Sequence, residues 1–131
     1  LHLRRFEAAV EACDARLAEE PDDADAHALR ALALVSVNRW DDATDAASAA
    51  VRLAPDYALA YFALSHVWSE RGSYRPATAA IDEALRIDPS NPDFYYQLAY
   101  CKTQVNDPVE ALKAVETGIR LNPLHTNCLA T

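Results

Sequence analysis

The sequence has little glycine, no long apolar run and no basic run, and each absence excludes a class of protein or partner. Two glycines in 131 residues rule out a Gly-rich nucleotide loop and argue against a sandwich or barrel with many glycine turns. No stretch reaches the ~18 apolar residues of a membrane span. With 12 Lys and Arg against 20 Asp and Glu, a net charge of −8 and no basic run, nucleic acid is an improbable partner.

The N-terminus and the cysteines bear on the compartment of the protein and on metal binding. Leu1 is not an initiator methionine, which is consistent with a natural N-terminus upstream of it. Because no signal-like apolar run is present, we expect a cytoplasmic protein, and the missing N-terminus leaves the periplasm open. Cys13, Cys101 and Cys128 have no metal-ligand spacing, so we interpret them as small, mostly buried apolar residues.

Alanine supplies about a fifth of the residues and favours helices, because it has the best helix propensity and is disfavoured in strands. An excess of arginine over lysine beside so much alanine indicates a GC-rich genome, which we interpret as bacterial. The composition therefore predicts an all-α protein.

A proline recurs at equal intervals along the whole chain, at Pro21, Pro55, Pro89 and Pro123. Self-similarity at such a period, roughly 34 residues, is typical of stacked supersecondary units. We therefore predict a single array that spans 1–131, with a half repeat at 1–23, full repeats at 24–57, 58–91 and 92–125, and the start of a further repeat at 126–131.

Each unit contains two amphipathic helical patterns. Tyr61, Leu64 and Trp68 share one helix face by their spacing, and Ala77 and Ile81 share a face of the next helix. The patterns predict seven helices, near 4–18, 25–37, 41–53, 59–71, 75–87, 93–105 and 108–121.

Polar residues and one glycine mark the turns between the helices. We expect Gly72 to adopt a left-handed conformation that ends one helix, and Ser73 to cap the next. Asp107 is the corresponding cap in the following unit. Trp40 and Tyr74 come just before second helices, where we expect them to fill the gap beneath the turn.

The unit resembles the tetratricopeptide repeat (TPR) family, with its pattern W-x2-L-G-x2-Y, then A-x3-F, then P. The middle unit matches it with Tyr61-x2-Leu64-Ser65-x2-Trp68, Ala77-x3-Ile81 and Pro89. The resemblance implies an all-α solenoid of antiparallel helix pairs, wound into a right-handed superhelix with a concave groove.

In this family the first helices of the units line the groove, which usually binds a peptide or a partner helix. The positions that the resemblance turns inward include aromatic side chains, which favour interaction hot spots because they bury a large area at low entropic cost. The candidate groove residues are Leu32, Phe62, His66, Ser69, Glu70, Asp93, Tyr96, Tyr100 and Thr103.

The groove positions also indicate the chemistry of the partner. They contain no lysine, and their ionic groups are Asp25, Glu70 and Asp93, so a clamp for an acidic tail is improbable. We expect an apolar or amphipathic protein or peptide, with a basic residue to meet the acids.

Nothing in the sequence indicates catalysis or a cofactor. The phosphate-binding, zinc-protease and nucleophile-elbow motifs are absent, and the histidines have no acidic partner at metal-site spacing. The paired acids Asp22-Asp23 and Asp41-Asp42 stand at helix starts, where they complement the helix dipole. We expect neither an enzyme nor a metal or cofactor site.

Three functional hypotheses remain open at the level of sequence. The first is a protein–protein interaction scaffold that binds through the concave groove. The second is self-association, giving a homodimer through uncapped repeat ends, because arrays normally need polar capping units. The third is a regulatory or targeting arm of a larger enzyme.

Overall fold

The structure, a computed structural model, describes the backbone of residues 2–121 and the side chains of residues 5–121. The expected start of a further repeat at 126–131, together with Cys128, lies outside the described residues. Within that range the chain is all-α, and the helices are α1 His2–Glu19, α2 Ala24–Ser36, α3 Trp40–Leu53, α4 Ala58–Glu70, α5 Tyr74–Ile87, α6 Pro92–Gln104 and α7 Pro108–Leu121. The predicted helix boundaries are confirmed to within two residues.

The helices pack in pairs that follow chain order. The pairs are α2 with α3, α4 with α5, and α6 with α7, and each pair packs on the next. The first helices of the pairs, α2, α4 and α6, also contact one another in succession, and α1 packs on α2. This arrangement places α2, α4 and α6 side by side in a row.

The turn inside each pair has the same backbone geometry in all three pairs. Asn38, Gly72 and Asn106 have positive φ angles of 63°, 82° and 63°. In each case the following residue donates its N–H to a carbonyl near the end of the first helix, as Ser73 does to Trp68 over 2.9 Å. The prediction for Gly72 is confirmed. Asparagine, which tolerates this conformation better than most residues, does the same at the other two turns.

Two sequence expectations about these turns are wrong. Ser73 stands at the start of α5, but its side chain makes no capping hydrogen bond. Trp40 is 43% exposed and Tyr74 is half-buried, and each begins its helix, so Trp40 does not fill a gap. Asp107 does cap its helix, accepting the N–H of Glu110 at 3.3 Å.

Alanine forms most of the core, at the positions where helix backbones approach closely. Ala31, Ala43, Ala47 and Ala50 are fully buried in one cluster with side chains of α1 to α4. A second cluster centres on Ile81, Ala84 and Phe94. The few large buried side chains therefore fill spaces that alanine leaves between closely packed helices.

The contact between α4 and α6 contains a buried polar network. The side-chain amide of Gln97 donates to the hydroxyls of Ser65 and Ser69, both at 3.1 Å, and Ser69 donates to the carbonyl of His66 at 2.8 Å. Every buried side-chain nitrogen and oxygen of the described residues has a partner. The network therefore satisfies its own members.

We expect Gln97→Leu to lower the free energy of unfolding by about 1–3 kcal/mol, because it removes the amide that donates to the buried hydroxyls of Ser65 and Ser69. Urea denaturation measures the loss. Adding Ser65→Ala and Ser69→Ala to Gln97→Leu should recover most of it, since an interface with neither donor nor acceptor has no polar group to satisfy. A triple variant that is less stable than the single variant would contradict this explanation.

Candidate functional site

The candidate groove residues lie on α2, α4 and α6, with unequal access to solvent. Glu70, Asp93, Tyr100 and Thr103 are exposed, and the remaining members except Ser69 are half-buried: Leu32, Phe62, His66 and Tyr96. We call these eight residues the groove face. Their three helices contact one another in succession.

Ser69 is removed from the candidate site by its burial. Only 2% of the residue is exposed, and its hydroxyl both accepts from Gln97 and donates to His66. The helical spacing that placed it inward also places it against α6, so Ser69 belongs to the contact between first helices.

Phe62 and Tyr96 form the base of the groove face, because both rings are packed against neighbouring helices. Phe62 stacks on Phe94 of α6 with centroids 5.3 Å apart, and on His66 of its own helix at 6.3 Å. The ring of Tyr96 lies so close to Gly118 of α7 that a Cβ added there would be 2.7 Å from it. A ligand can therefore meet only part of either ring.

Tyr100 is the most accessible aromatic side chain of the groove face, with 42% of the residue exposed. Its ring meets that of Tyr74 edge-on, with centroids 6.3 Å apart and planes at 73°. Burial and a hydrogen bond with Tyr74 raise the pKa of Tyr100 above its usual value. Tyr74, which the sequence placed beneath the turn, thus supports the accessible aromatic residue of the site.

The acidic residues at the edge differ in what they can offer a ligand. The hydroxyl of Tyr57 donates to the carboxylate of Asp25. Burial and this hydrogen bond raise the pKa of Tyr57 to about 12. Asp25 is thus engaged within the protein, and Glu70 and Asp93 are the exposed acids of the groove face.

We expect the effect of Gly118→Ala to change sign with the residue at position 96. In the natural chain it should destabilise, because the new methyl group would press on the Tyr96 ring at 2.7 Å. In a Tyr96→Ala background it should stabilise by about 0.5–1 kcal/mol, because alanine is the better helix former. Chemical denaturation of the natural chain, the two single variants and the double variant measures the coupling energy between positions 96 and 118. If Gly118→Ala changed the stability in the same direction in both backgrounds, the ring of Tyr96 would not require glycine at position 118.

Metal clusters, membrane spans and reactive thiols bear on what the described part of the chain can do chemically. In residues 5–121 no group of three or more His, Cys, Asp or Glu side chains could hold a metal ion. None of the helices of residues 2–121 is long and apolar enough to cross a membrane. Burial raises the pKa of both Cys13 and Cys101, which makes each a poorer nucleophile at neutral pH.

Paired helices that recur at a fixed interval define a helical-repeat protein of the TPR class, and the comparison with family models agrees. The model for the N-terminal TPR repeats region of Psidin matches residues 1–116, and the chain belongs to that family. None of the curated proteins is similar enough in sequence to match it.

Solved TPR structures have the same arrangement of helices. A thermophilic TPR protein of Thermus thermophilus, TTC0263, superimposes with a TM-score of 0.85 at 19% identity, over 92% of this chain and 68% of that one. MamA from Desulfovibrio magneticus RS-1 gives 0.78 at 21% identity, over 92% and 68%. YrrB, described as a TPR protein with an unusual peptide-binding site, gives 0.77 at 27% identity, over 87% and 59%. At such identities the first two likenesses concern the fold.

Proposed function

We propose that this chain is a protein-interaction scaffold that binds a peptide segment or a helix on the groove face. The observation that carries the proposal is Tyr100, an exposed aromatic residue on a first helix that is supported edge-on by Tyr74. A rigid aromatic residue, together with half-buried Phe62 and His66 on the neighbouring first helix, has the composition of a binding hot spot.

Family membership supports the general part of this proposal, because TPR domains are generally protein-interaction scaffolds. The likeness to YrrB, at 27% identity, supports a peptide as the ligand. Fold alone does not identify a function, so the specific part rests on the residues of the groove face.

The charges of the groove face favour a ligand with a basic group. Glu70 and Asp93 are exposed, and neither has a hydrogen bond or ion pair from its side chain among the contacts of the described residues. The rest of the groove face is apolar or aromatic apart from Thr103 and His66. An apolar or amphipathic segment that carries a lysine or arginine satisfies both features.

A peptide library displayed against the 131-residue chain tests this proposal. Peptides that are captured should lose about tenfold or more in affinity for the double variant His66→Ala plus Tyr100→Ala, because truncating aromatic anchors removes most of the binding energy. Trp40→Ala is the matched control, since Trp40 is equally exposed at 43% but begins a second helix.

Two results would contradict the proposal. One is unchanged affinity for the double variant, provided that its thermal melting matches the natural chain. The other is an equal loss for Trp40→Ala, which would indicate binding by exposed aromatic residues in general.

Self-association is a second candidate function, favoured by exposed apolar residues on α7. Val109 and Leu112 are well exposed there, and exposed apolar patches often mark interfaces. If this face joins two copies, light scattering should show a concentration-dependent dimer that Leu112→Asp abolishes. A monomer at every concentration would remove the idea.

A further inference from the structure

The rings of Tyr74 and Tyr100 meet at a corner between α5 and α6. Their planes make an angle of 73° and their centroids lie 6.3 Å apart, so one face of each ring borders the same space. Because Tyr100 is 42% exposed and Tyr74 is half-buried, solvent reaches the pair. The face of an aromatic ring carries partial negative charge, so two such faces attract a cation.

Glu70 brings a carboxylate to the two rings. It ends α4, and Tyr74 begins α5 after a short turn. The hydrogen bond from Gln97 to Ser69, at 3.1 Å, holds α6 against this end of α4, and Tyr100 follows Gln97 by about one helical turn. The charge of Glu70 accordingly helps to raise the pKa of Tyr100, after burial and the hydrogen bond with Tyr74. We call Tyr74, Tyr100 and Glu70 the aromatic corner.

The basic residue next to Glu70 in the sequence is engaged elsewhere. The guanidinium of Arg71 lies 5.5 Å from the centre of the Trp68 ring. It also donates to Asp41 at 3.2 Å and to Thr44 at 2.8 Å, both on α3. Arg71 therefore points away from the corner, and the carboxylate of Glu70 is left for a ligand.

Two other basic residues that are near the corner in the sequence lie beside a different acid. Arg75 and Lys102 line one cavity of about 430 Å³ together with Asp82, and that cavity includes no residue of the aromatic corner. Burial raises the pKa of Asp82, and the charge of Lys102 opposes this rise. Lys102 thus acts on Asp82, and the corner keeps the negative charge of Glu70.

The aromatic corner is a feature of one junction between repeats. One repeat earlier, the same three positions hold Trp40, His66 and Ser36. The ring of His66 stacks on Phe62, and Ser36 carries no charge, since its hydroxyl donates to a carbonyl of its own helix at 3.1 Å. The repeat pattern therefore does not by itself produce the combination of two rings and a carboxylate.

We propose that the aromatic corner binds the guanidinium group of an arginine in the peptide that occupies the groove face. The planar guanidinium stacks on a tyrosine ring while its N–H groups donate to the carboxylate of Glu70. A lysine ammonium is a compact point charge and cannot make both contacts with the same geometry. The proposal rests on peptide binding by the groove face, and it adds Tyr74, on a second helix, to the residues that select the ligand.

Selection from a library of random displayed peptides is the first arm of the test. It is carried out in parallel on the natural chain and on Glu70→Gln, which removes the charge of an exposed residue and keeps its shape. Peptides captured by the natural chain should share an arginine. Peptides captured by Glu70→Gln should show no such preference.

A double-mutant cycle between Glu70 and the arginine of one captured peptide is the second arm. Replacing that arginine with citrulline, its neutral isostere, should lower the affinity for the natural chain about tenfold. The same replacement should have little effect on the affinity for Glu70→Gln. A peptide with lysine at this position should bind the natural chain with an intermediate affinity. Fluorescence anisotropy measures each affinity.

Asp93 is the other exposed acid of the groove face, and it controls for charge in general. It lies about two turns before Tyr100 on α6. Whatever the affinity of Asp93→Asn for the arginine peptide, replacing the arginine with citrulline should still cost about tenfold in that variant.

Variants of Tyr74 test the ring face. Tyr74→Leu should lower the affinity for the arginine peptide about fivefold, whereas Tyr74→Phe, which keeps the ring, should retain most of it. Trp40→Leu is the matched control, because Trp40 stands one repeat before Tyr74 and is 43% exposed. It should leave the affinity unchanged. Thermal melting of each variant confirms that the fold is intact.

Three results would overturn the proposal and leave peptide binding by the groove face in place. They are captured peptides without a shared arginine, a loss on citrulline replacement that is as large in Glu70→Gln as in the natural chain, and equal affinities of the arginine and lysine peptides. If the natural chain captured no peptide, binding on the groove face would be contradicted as well.

Discussion

Leu34→Ala is expected to lower the free energy of unfolding by about 3–5 kcal/mol, a large part of the ~5–15 kcal/mol that stabilises a typical domain. Leu34 is one of the largest fully buried side chains of the described residues. Its surroundings are mostly alanines on helices already in close contact. Because short side chains cannot move into the space and the backbones have little room to approach, the cavity should persist. That is the condition for a cost near the upper end of the range.

The control for Leu34→Ala is Leu112→Ala, in which the same atoms are removed from an exposed position on α7. That variant should stay within about 0.5 kcal/mol of the natural chain. Equilibrium unfolding in guanidinium chloride measures both. A loss below about 1 kcal/mol for Leu34→Ala would show that the array collapses around the cavity and that its packing is less rigid than described.

Ala63→Leu is expected to destabilise the chain by about 1–3 kcal/mol through overpacking. Ala63 is fully buried in the cluster that joins α4 to α2 and α3, where a longer side chain would separate the helices. The position itself does not exclude leucine, since its equivalent in the preceding repeat is Leu29, which is partly exposed. The cost therefore comes from the helix that covers Ala63.

Two variants control for the intrinsic effects of leucine and alanine. Ala79→Leu adds the same atoms at an exposed position of α5, and Leu29→Ala removes them at the uncovered equivalent. Both should change stability by less than about 0.5 kcal/mol. Thermal melting of the three variants would contradict the explanation if Ala79→Leu were as destabilising as Ala63→Leu.

Regular spacing is the reason that the helices could be predicted from the sequence. Proline and small residues recur at a fixed interval. The amphipathic patterns between them restrict where each helix can begin and end. Residue type alone predicts the left-handed turn residue at Gly72, whereas Asn38 and Asn106 have the same conformation at equivalent positions. The repeat spacing could have identified both asparagines as left-handed turn residues, because asparagine is the commonest substitute for glycine at such positions.

The burial of individual side chains could not be predicted as well as the positions of the helices. Two residues that face the same side of a helix differ in exposure according to what the next helix places opposite them. Ser69 is covered by Gln97, and Tyr96 has its space because residue 118 is glycine. Such contacts join residues of different helices, so the periodicity of a single helix cannot predict them. Trp40 and Tyr74 stand at equivalent positions of successive repeats but differ in exposure, because the ring of Tyr74 contacts that of Tyr100.

Amide NMR of the natural chain, titrated with a peptide captured from the library, shows which helices the peptide contacts. We expect shift changes to concentrate on the groove-face positions of α4 and α6, around Phe62 to Glu70 and Tyr96 to Thr103, and we expect Tyr100→Ala to reduce them. Shift changes confined to the second helices α3, α5 and α7, and unaltered by Tyr100→Ala, would contradict binding on the groove face.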